Sequence, residues 1–220
     1  GARPSRMQYA TPSAVDNQIT GNREWGIYHF DARSAPVITG NTVTGNLRAA
    51  VLPASAVPNA GDGNVLGPNQ VSGLWIRGMA RGTDLRLGVL YAGQAHELNT
   101  YQIDGTLTMS PGATLTVDPG VVVKFYTGAG LDVHGALRAV GTAEAPVVFT
   151  SWKDDTAGGD LNLDGAATVP ANGDWQGIYV SDQATDAVPQ SSASNRDTQL
   201  RPPPCPQATR SGAICRSGRP

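Results

Sequence analysis

The chain has 220 residues, 40% of them apolar and 15% charged, with a net charge of −2. That suffices for one sizeable core and leaves too little field to draw the protein onto nucleic acid or an anionic membrane. No apolar run reaches the roughly 18 residues of a bilayer span, and no segment reads as a secretory signal. With 27 glycines and 16 prolines among many Thr, Val and Asn, the composition points to short strands joined by tight turns, an all-β chain.

Residues 1–14 read as an irregular N-terminal segment, and the opening GARPSRMQ, which lacks an initiator methionine, reads as part of a fragment. From residue 15 a repeat is visible. NQITGN at Asn17 to Asn22 returns as NTVTGN at Asn41 to Asn46, and NQVSG at Asn69 to Gly73 is a shorter echo. Each copy precedes an apolar strand candidate: WGIYHF, LRAAVL and LWIRGM. This is the period of a solenoid whose coils stack β-branched residues inward and turn corners at Gly or Asn. Stacking places Asn over Asn, where amides satisfy one another, so these asparagines are expected to be structural. The repeat coils occupy residues 15–100.

Residues 101–151 continue in period two. Leu107, Met109, Leu115, Val117, Val121, Val123, Phe125, Leu131, Val133, Leu137, Val147 and Phe149 alternate with polar or small residues, and SPG, DPG and TGAG punctuate them. Residues 152–174 form a Gly- and Asp-rich loop, and 175–181 a final strand. From residue 187 to 220 the alternation stops, proline clusters, and five arginines face one aspartate. Such a Pro/Arg-rich tail is expected to be disordered. It reads either as a frameshift or as a natural linker, and the two cysteines, Cys205 and Cys215, fall within it.

The segments GTLTMSPGATLTVDPGVVVKF, GLDVHGALRAVGTAEAPVVFTS and GDWQGIYV, together with the ITGN copies, resemble secreted bacterial right-handed parallel β-helix proteins over residues 15–186. The repeat arithmetic gives about seven or eight coils, and the resemblance implies a right-handed parallel β-helix in an extracellular or cell-surface setting. Its relatives include adhesins and polysaccharide-degrading enzymes, so it specifies scaffold more than activity.

Three groups of residues carry candidate chemistry. In DLNLDG, Asp160, Asn162 and Asp164 alternate before Gly165, as in the first half of a calcium loop, and Asp154 and Asp155 are available to complete the shell. The twelfth position is Ala171, where an EF-hand needs glutamate, which leaves a calcium site of another kind or a plain solvated loop. Trp25, Trp75 and Trp175 either stack on sugar rings from an exposed face or pack the core; Trp25 and Trp175 both sit just ahead of a Gly-Ile pair and read as equivalent positions. Arg77 reads as an outward anion contact. His29, His96 and His134 form no metal-ligand pair, and no P-loop is present. The expected function is a non-enzymatic structural or carbohydrate-binding module of a larger, adhesin-like surface protein. The alternative is a polysaccharide lyase or glycoside hydrolase using clustered aspartates with Lys153 or Arg138 as base, signalled by three acids converging beside an Arg or Lys.

Overall fold

A computed structural model describes residues 12–29, 36–59, 63–80, 84–95, 97–181 and 184, all within one compact unit. His96 and the tail from 187, with both cysteines, lie outside the described residues. The first coil carries β1 (Ser13–Val15), β2 (Gln18–Thr20) and β3 (Trp25–Tyr28), and the second β4 (Val37–Thr39), β5 (Thr42–Thr44) and β6 (Arg48–Pro53) followed by a 3₁₀ turn at Ala54–Asn59. Next come β7 (Val71–Ala80), β8 (Leu85–Leu87) and β9 (Thr100–Met109). The chain continues through β10 (Thr114–Val117), β11 (Val122–Phe125), β12 (Gly130–Val133), β13 (Ala136–Ala139), β14 (Val148–Ser151) and β15 (Ile178–Val180).

Among the described residues every pairing between these strands is parallel, and each strand pairs with its counterpart one coil away. The long sheet stacks β3, β6, β7, β9, β11 and β14, which makes about five turns of a β-solenoid rather than seven or eight. The expected count was too high because one coil holds three strands and their turns. The β8–β10–β13 sheet, the small β1–β4 and β2–β5 pairs, and the run of β9 through β12 to β15 form the other sides.

Parity decides what is inside. Ile27, Ala50, Leu74, Tyr101, Val123 and Phe149 lie in one register row, and Leu52, Ile76, Ile103 and Phe125 in the next inward row. The inner residues of these rows are buried in one continuous core. Leu107, Met109, Leu115, Val117, Val121, Val123, Phe125, Leu131 and Val133 join that core as the alternation predicts, with Leu137, Val147 and Phe149 half-buried against it. On each side of a strand lies the opposite parity, and the outward rows of the long sheet carry the polar and aromatic residues considered below.

The asparagines form two ladders. Asn41 accepts from Asn17 through N (3.1 Å) and Nδ2 (3.0 Å), and Asn64 does the same for Asn41 at 3.0 Å each. In parallel, Asn22 donates to Asn46 and Asn46 to Asn69. The third copy of the repeat is therefore NVLGPN, Asn64 to Asn69, and not NQVSG. The five-residue separation of the two asparagines is what the ladders require, whereas the residues between them are free to change.

Candidate functional site

Two features occupy the outward face of the long sheet: the Asp-rich segment 152–174, and a groove beside it. The segment does not splay into water. It is tied at its base by Asp174, which accepts from Lys153 Nζ (2.7 Å), Ser151 Oγ (2.9 Å) and the Ala171 amide (2.9 Å). Those donors hold the Asp174 carboxyl down at about 2, the Lys153 hydrogen bond contributing most. From there the segment lies back across the sheet as a strap. Lys124 on β11 donates to the carbonyls of Asp154 (2.7 Å) and Gly159, Thr100 on β9 donates to Gly158 O (3.4 Å), and Arg48 on β6 donates to Leu161 O (3.4 Å). Leu161 is buried against Val51, Val71 and Trp75. The strap thus seals most of the outward row Tyr28–Val51–Trp75–Gln102–Lys124–Thr150, in which Lys124 is fully buried.

Under this strap the carboxylates divide. Asp155, Asp160 and Asp164 each bring one oxygen within 4.8 Å of the others. Asp155 Oδ1 is buried with no hydrogen-bond partner, and its carboxyl is pushed up by burial and by Asp160 and Asp164. Asp154 is not in the cluster. It accepts from Thr150 Oγ1 (2.7 Å) and from Thr156 N (3.1 Å) and Oγ1 (2.5 Å); burial works to raise its carboxyl, and these bonds hold it below the usual range. Asn162 donates to Asp164 Oδ2 (2.8 Å) and orients that carboxylate from the side. Asp160 closes a turn by accepting from Leu163 N (2.5 Å) and Gly165 N (2.9 Å). The Lys124 ammonium is lowered from its usual value by burial, with Asp155, Asp154 and Asp160 acting the other way. Of the candidate bases, Lys153 is committed to Asp174, and Arg138 belongs to the β8–β10–β13 sheet.

Beside the strap runs a cleft of about 410 Å³. Trp25 and Tyr28 of β3 stand at one end, and Tyr126 and Trp152, which directly follow β11 and β14, at the other. Tyr28 is 49% and Tyr126 41% exposed, and Tyr126 lies 4.6 Å from Trp152 between ring centroids. The floor between them holds Arg77, Asp104 and Gln102. Arg77 grips Asp104 through Nε (2.7 Å) and Nη2, and its Nη1 donates to the Tyr28 hydroxyl (3.2 Å). The anion that Arg77 contacts is therefore the chain's own carboxylate. Trp75 is brought to Trp25, edge to face at 4.9 Å, with the Arg48 guanidinium 5.4 Å from each ring. Trp75 is only 5% exposed, so it supports the cleft from beneath.

Trp175 does not join them. It stacks on Phe125, with centroids 4.3 Å apart and planes at 5°, and packs on the core ahead of β15, which pairs with β12 rather than joining the row of β3. The Gly-Ile dipeptides after Trp25 and Trp175 thus mark different sides of the solenoid. His134 is half-buried, edge-on to Tyr179 at 6.5 Å. Sequence reasoning missed Tyr28, Arg48, Gln102, Asp104, Lys124, Tyr126 and Leu161 as members of these features. Their outward parity was available, as with Lys124 between Val123 and Phe125, but the neighbours across coils were not.

Residues 93–199 match the pectate-lyase-like β-helix domain, and the described residues among them form stacked parallel coils. The chain is a parallel β-helix repeat protein. The match extends past residue 186, where the β-helix was expected to stop. A 56-residue stretch, 26% of the chain, is 38% identical to Protein bark beetle of Drosophila melanogaster, and that stretch covers about 2% of that protein's length. No solved structure matches. Among the described residues, no helix is long and apolar enough to cross a membrane.

Proposed function

We propose that this β-helix is a non-enzymatic carbohydrate- or surface-binding module of a larger extracellular, adhesin-like protein. The observation that carries the proposal is the cleft with two exposed aromatic ends and a hydrogen-bonding floor, a combination suited to sugar rings, which offer both apolar faces and hydroxyls. The extracellular or cell-surface setting is part of the proposal, and the curated relative, a fly protein, supplies no tie to bacteria. Binding to immobilised polysaccharides in affinity electrophoresis tests it: retardation that disappears in Tyr126→Ala is expected, and no retardation on any glycan overturns it.

A structural calcium ion at Asp155, Asp160 and Asp164 belongs to the same proposal. The donor set is hard oxygen, and the orphaned Asp155 Oδ1 fits such an ion. Asp154 would lend nothing from its carboxylate, already bound to Thr150 and Thr156, and Asn162 would act by orienting Asp164. Calorimetric titration should show one calcium per chain, lost in Asp155→Asn; no heat in millimolar calcium removes the ion.

The enzymatic alternative has one observation in its favour, the convergence of three carboxylates beside Lys124. Against it, the Lys124 ammonium is spent on two backbone carbonyls beneath the strap, and Asp104, in the open cleft, is engaged by Arg77. Release of reducing ends or of unsaturated uronates from a polysaccharide panel would favour this alternative.

A further inference from the structure

We propose that the outward face of the β8–β10–β13 sheet carries a second binding site, which takes a sulfate ester borne on a polysaccharide. The site lies on a different sheet from the aromatic cleft and does not depend on how the cleft is read.

Register builds it. Arg86, Thr116 and Arg138 are cross-strand partners, one from each strand of this sheet. They form one outward row because Leu85, Leu87, Leu115 and Val117, on either side of them, point into the core. The two arginines are two strand steps apart, about 10 Å between backbones at ~4.8 Å per step, with the threonine between them. Together with Asp118 and Pro119 after β10 and Val140 to Thr142 after β13, the row lines a groove of about 550 Å³.

Its side chains have more to donate than to accept. Asp118 is the one carboxylate in the lining, and both of its oxygens are taken by Arg86, from Nε at 3.1 and 2.9 Å and from Nη2 at 2.9 Å. That pair fixes the direction of an arginine whose side chain is 73% exposed, and it leaves Nη1 unspent. Arg138 is exposed and, among the described residues, makes no hydrogen bond or ion pair, so its whole fork is free. Thr142 Oγ1 accepts from the Ala145 amide (3.0 Å), which leaves its hydroxyl proton to donate outward. Two guanidiniums against one carboxylate leave one positive charge, the complement of a monoanion.

The placing of the donors selects among anions. A carboxylate is planar, and one guanidinium fork satisfies both of its oxygens from a single direction. Here the donors come from three adjacent strands, with Arg86 and Arg138 on opposite sides of the Thr116 hydroxyl. A tetrahedral sulfate ester presents three terminal oxygens to such a set at once, and its bridging oxygen leads outward to the sugar. A phosphate monoester has the same shape but carries about two negative charges near neutral pH, one more than the groove balances. The sugar itself finds apolar surface at the rim, on Pro119 and on Val140, which is 62% exposed.

The test is isothermal titration of the full chain, at low and at high salt, with a sulfated cellohexaose, its unsulfated parent and hexagalacturonate. At low salt Arg138→Ala should weaken binding of the sulfated probe about tenfold and leave the other two probes unchanged, and the difference should shrink at high salt. Arg138→Lys keeps the charge without the fork and should recover only part of that loss. Because Arg138 holds no other group among the described residues, both variants should keep the wild-type thermal midpoint. An equal loss for hexagalacturonate overturns the choice of sulfate, and a sulfated probe bound equally well by wild type and Arg138→Ala overturns the site. No binding of the sulfated probe overturns both, and leaves the cleft, which is tested through Tyr126→Ala, standing.

Discussion

The coils before β7 and those after β9 turn their corners by different means. In the first, the corner amides are satisfied by side chains from the next coil, Asn17 to Asn41 to Asn64 and Asn22 to Asn46 to Asn69, at offsets of 24 and then 23 residues. In the second, two Pro-Gly corners close within themselves. Ser110-Pro111-Gly112-Ala113 and Asp118-Pro119-Gly120-Val121 are turns with glycine at φ 82° and 79°, closed by Ala113 N to Ser110 O (3.1 Å) and Val121 N to Asp118 O (3.3 Å). A corner that depends on its neighbour demands a constant coil length, whereas a self-contained one tolerates change. That is why the 23-to-24-residue spacing is kept among the asparagines and relaxes to 27 between Arg77 and Asp104, and why the long strap is found among the later coils.

The sharpest way to break the comparison is at Asn41, which is fully buried and makes bonds to both neighbouring coils and to the Ala14 and Thr39 carbonyls. Asn41→Ala should strip several partners at about 1–3 kcal/mol for each group left unpaired and buried, enough to unfold the first coils in urea while the signal from the later coils persists. A single transition with an unshifted midpoint would show that the ladder carries no such dependence. In the later coils the largest loss should come from packing instead. Phe125→Ala removes the ring between Trp175 and Phe149 and should cost about 3–5 kcal/mol in equilibrium denaturation, with the early coils nearly unaffected.

The smallest expected effect is at the base of the strap. A folded-state value depressed to about 2 means that the Asp174 contribution is fully present above the ordinary carboxylate value of about 4, and is lost as pH falls through about 2. Emission from Trp152, beside Lys153, should change within that window while the far-ultraviolet β signal holds. An emission spectrum constant from pH 5 to pH 2 would show that the latch is not coupled to the strap.

The β-helix was legible because inward parity is written residue by residue, from Leu107 to Val133, and needs no knowledge of the partner strand. Register between coils was not. NQVSG looks more like NTVTGN than NVLGPN does, yet Asn64 and Asn69 carry the ladders, since only the positions of the amides are constrained by bonding. The candidate site was legible in part: Asp155, Asp160 and Asp164 converge, and Trp25 meets Trp75. The strap's path was hidden because its composition is that of a solvated loop, with Leu161 as its one deeply buried apolar anchor. Lys124 was missed for the same reason: the strap that covers it comes from far along the chain.

That covering has a mechanical meaning. In a solenoid each coil ordinarily feels only its two neighbours, so fraying at one end spreads coil by coil with little memory of what lies further in. The hydrogen bond from Arg48 to Leu161 joins residues 113 apart in sequence and spans the intervening strands. The strap therefore acts as a stay across the stack: peeling β14 away must also lift Leu161 off Val51 and Trp75, and the end of the helix cannot unwind without alerting its middle.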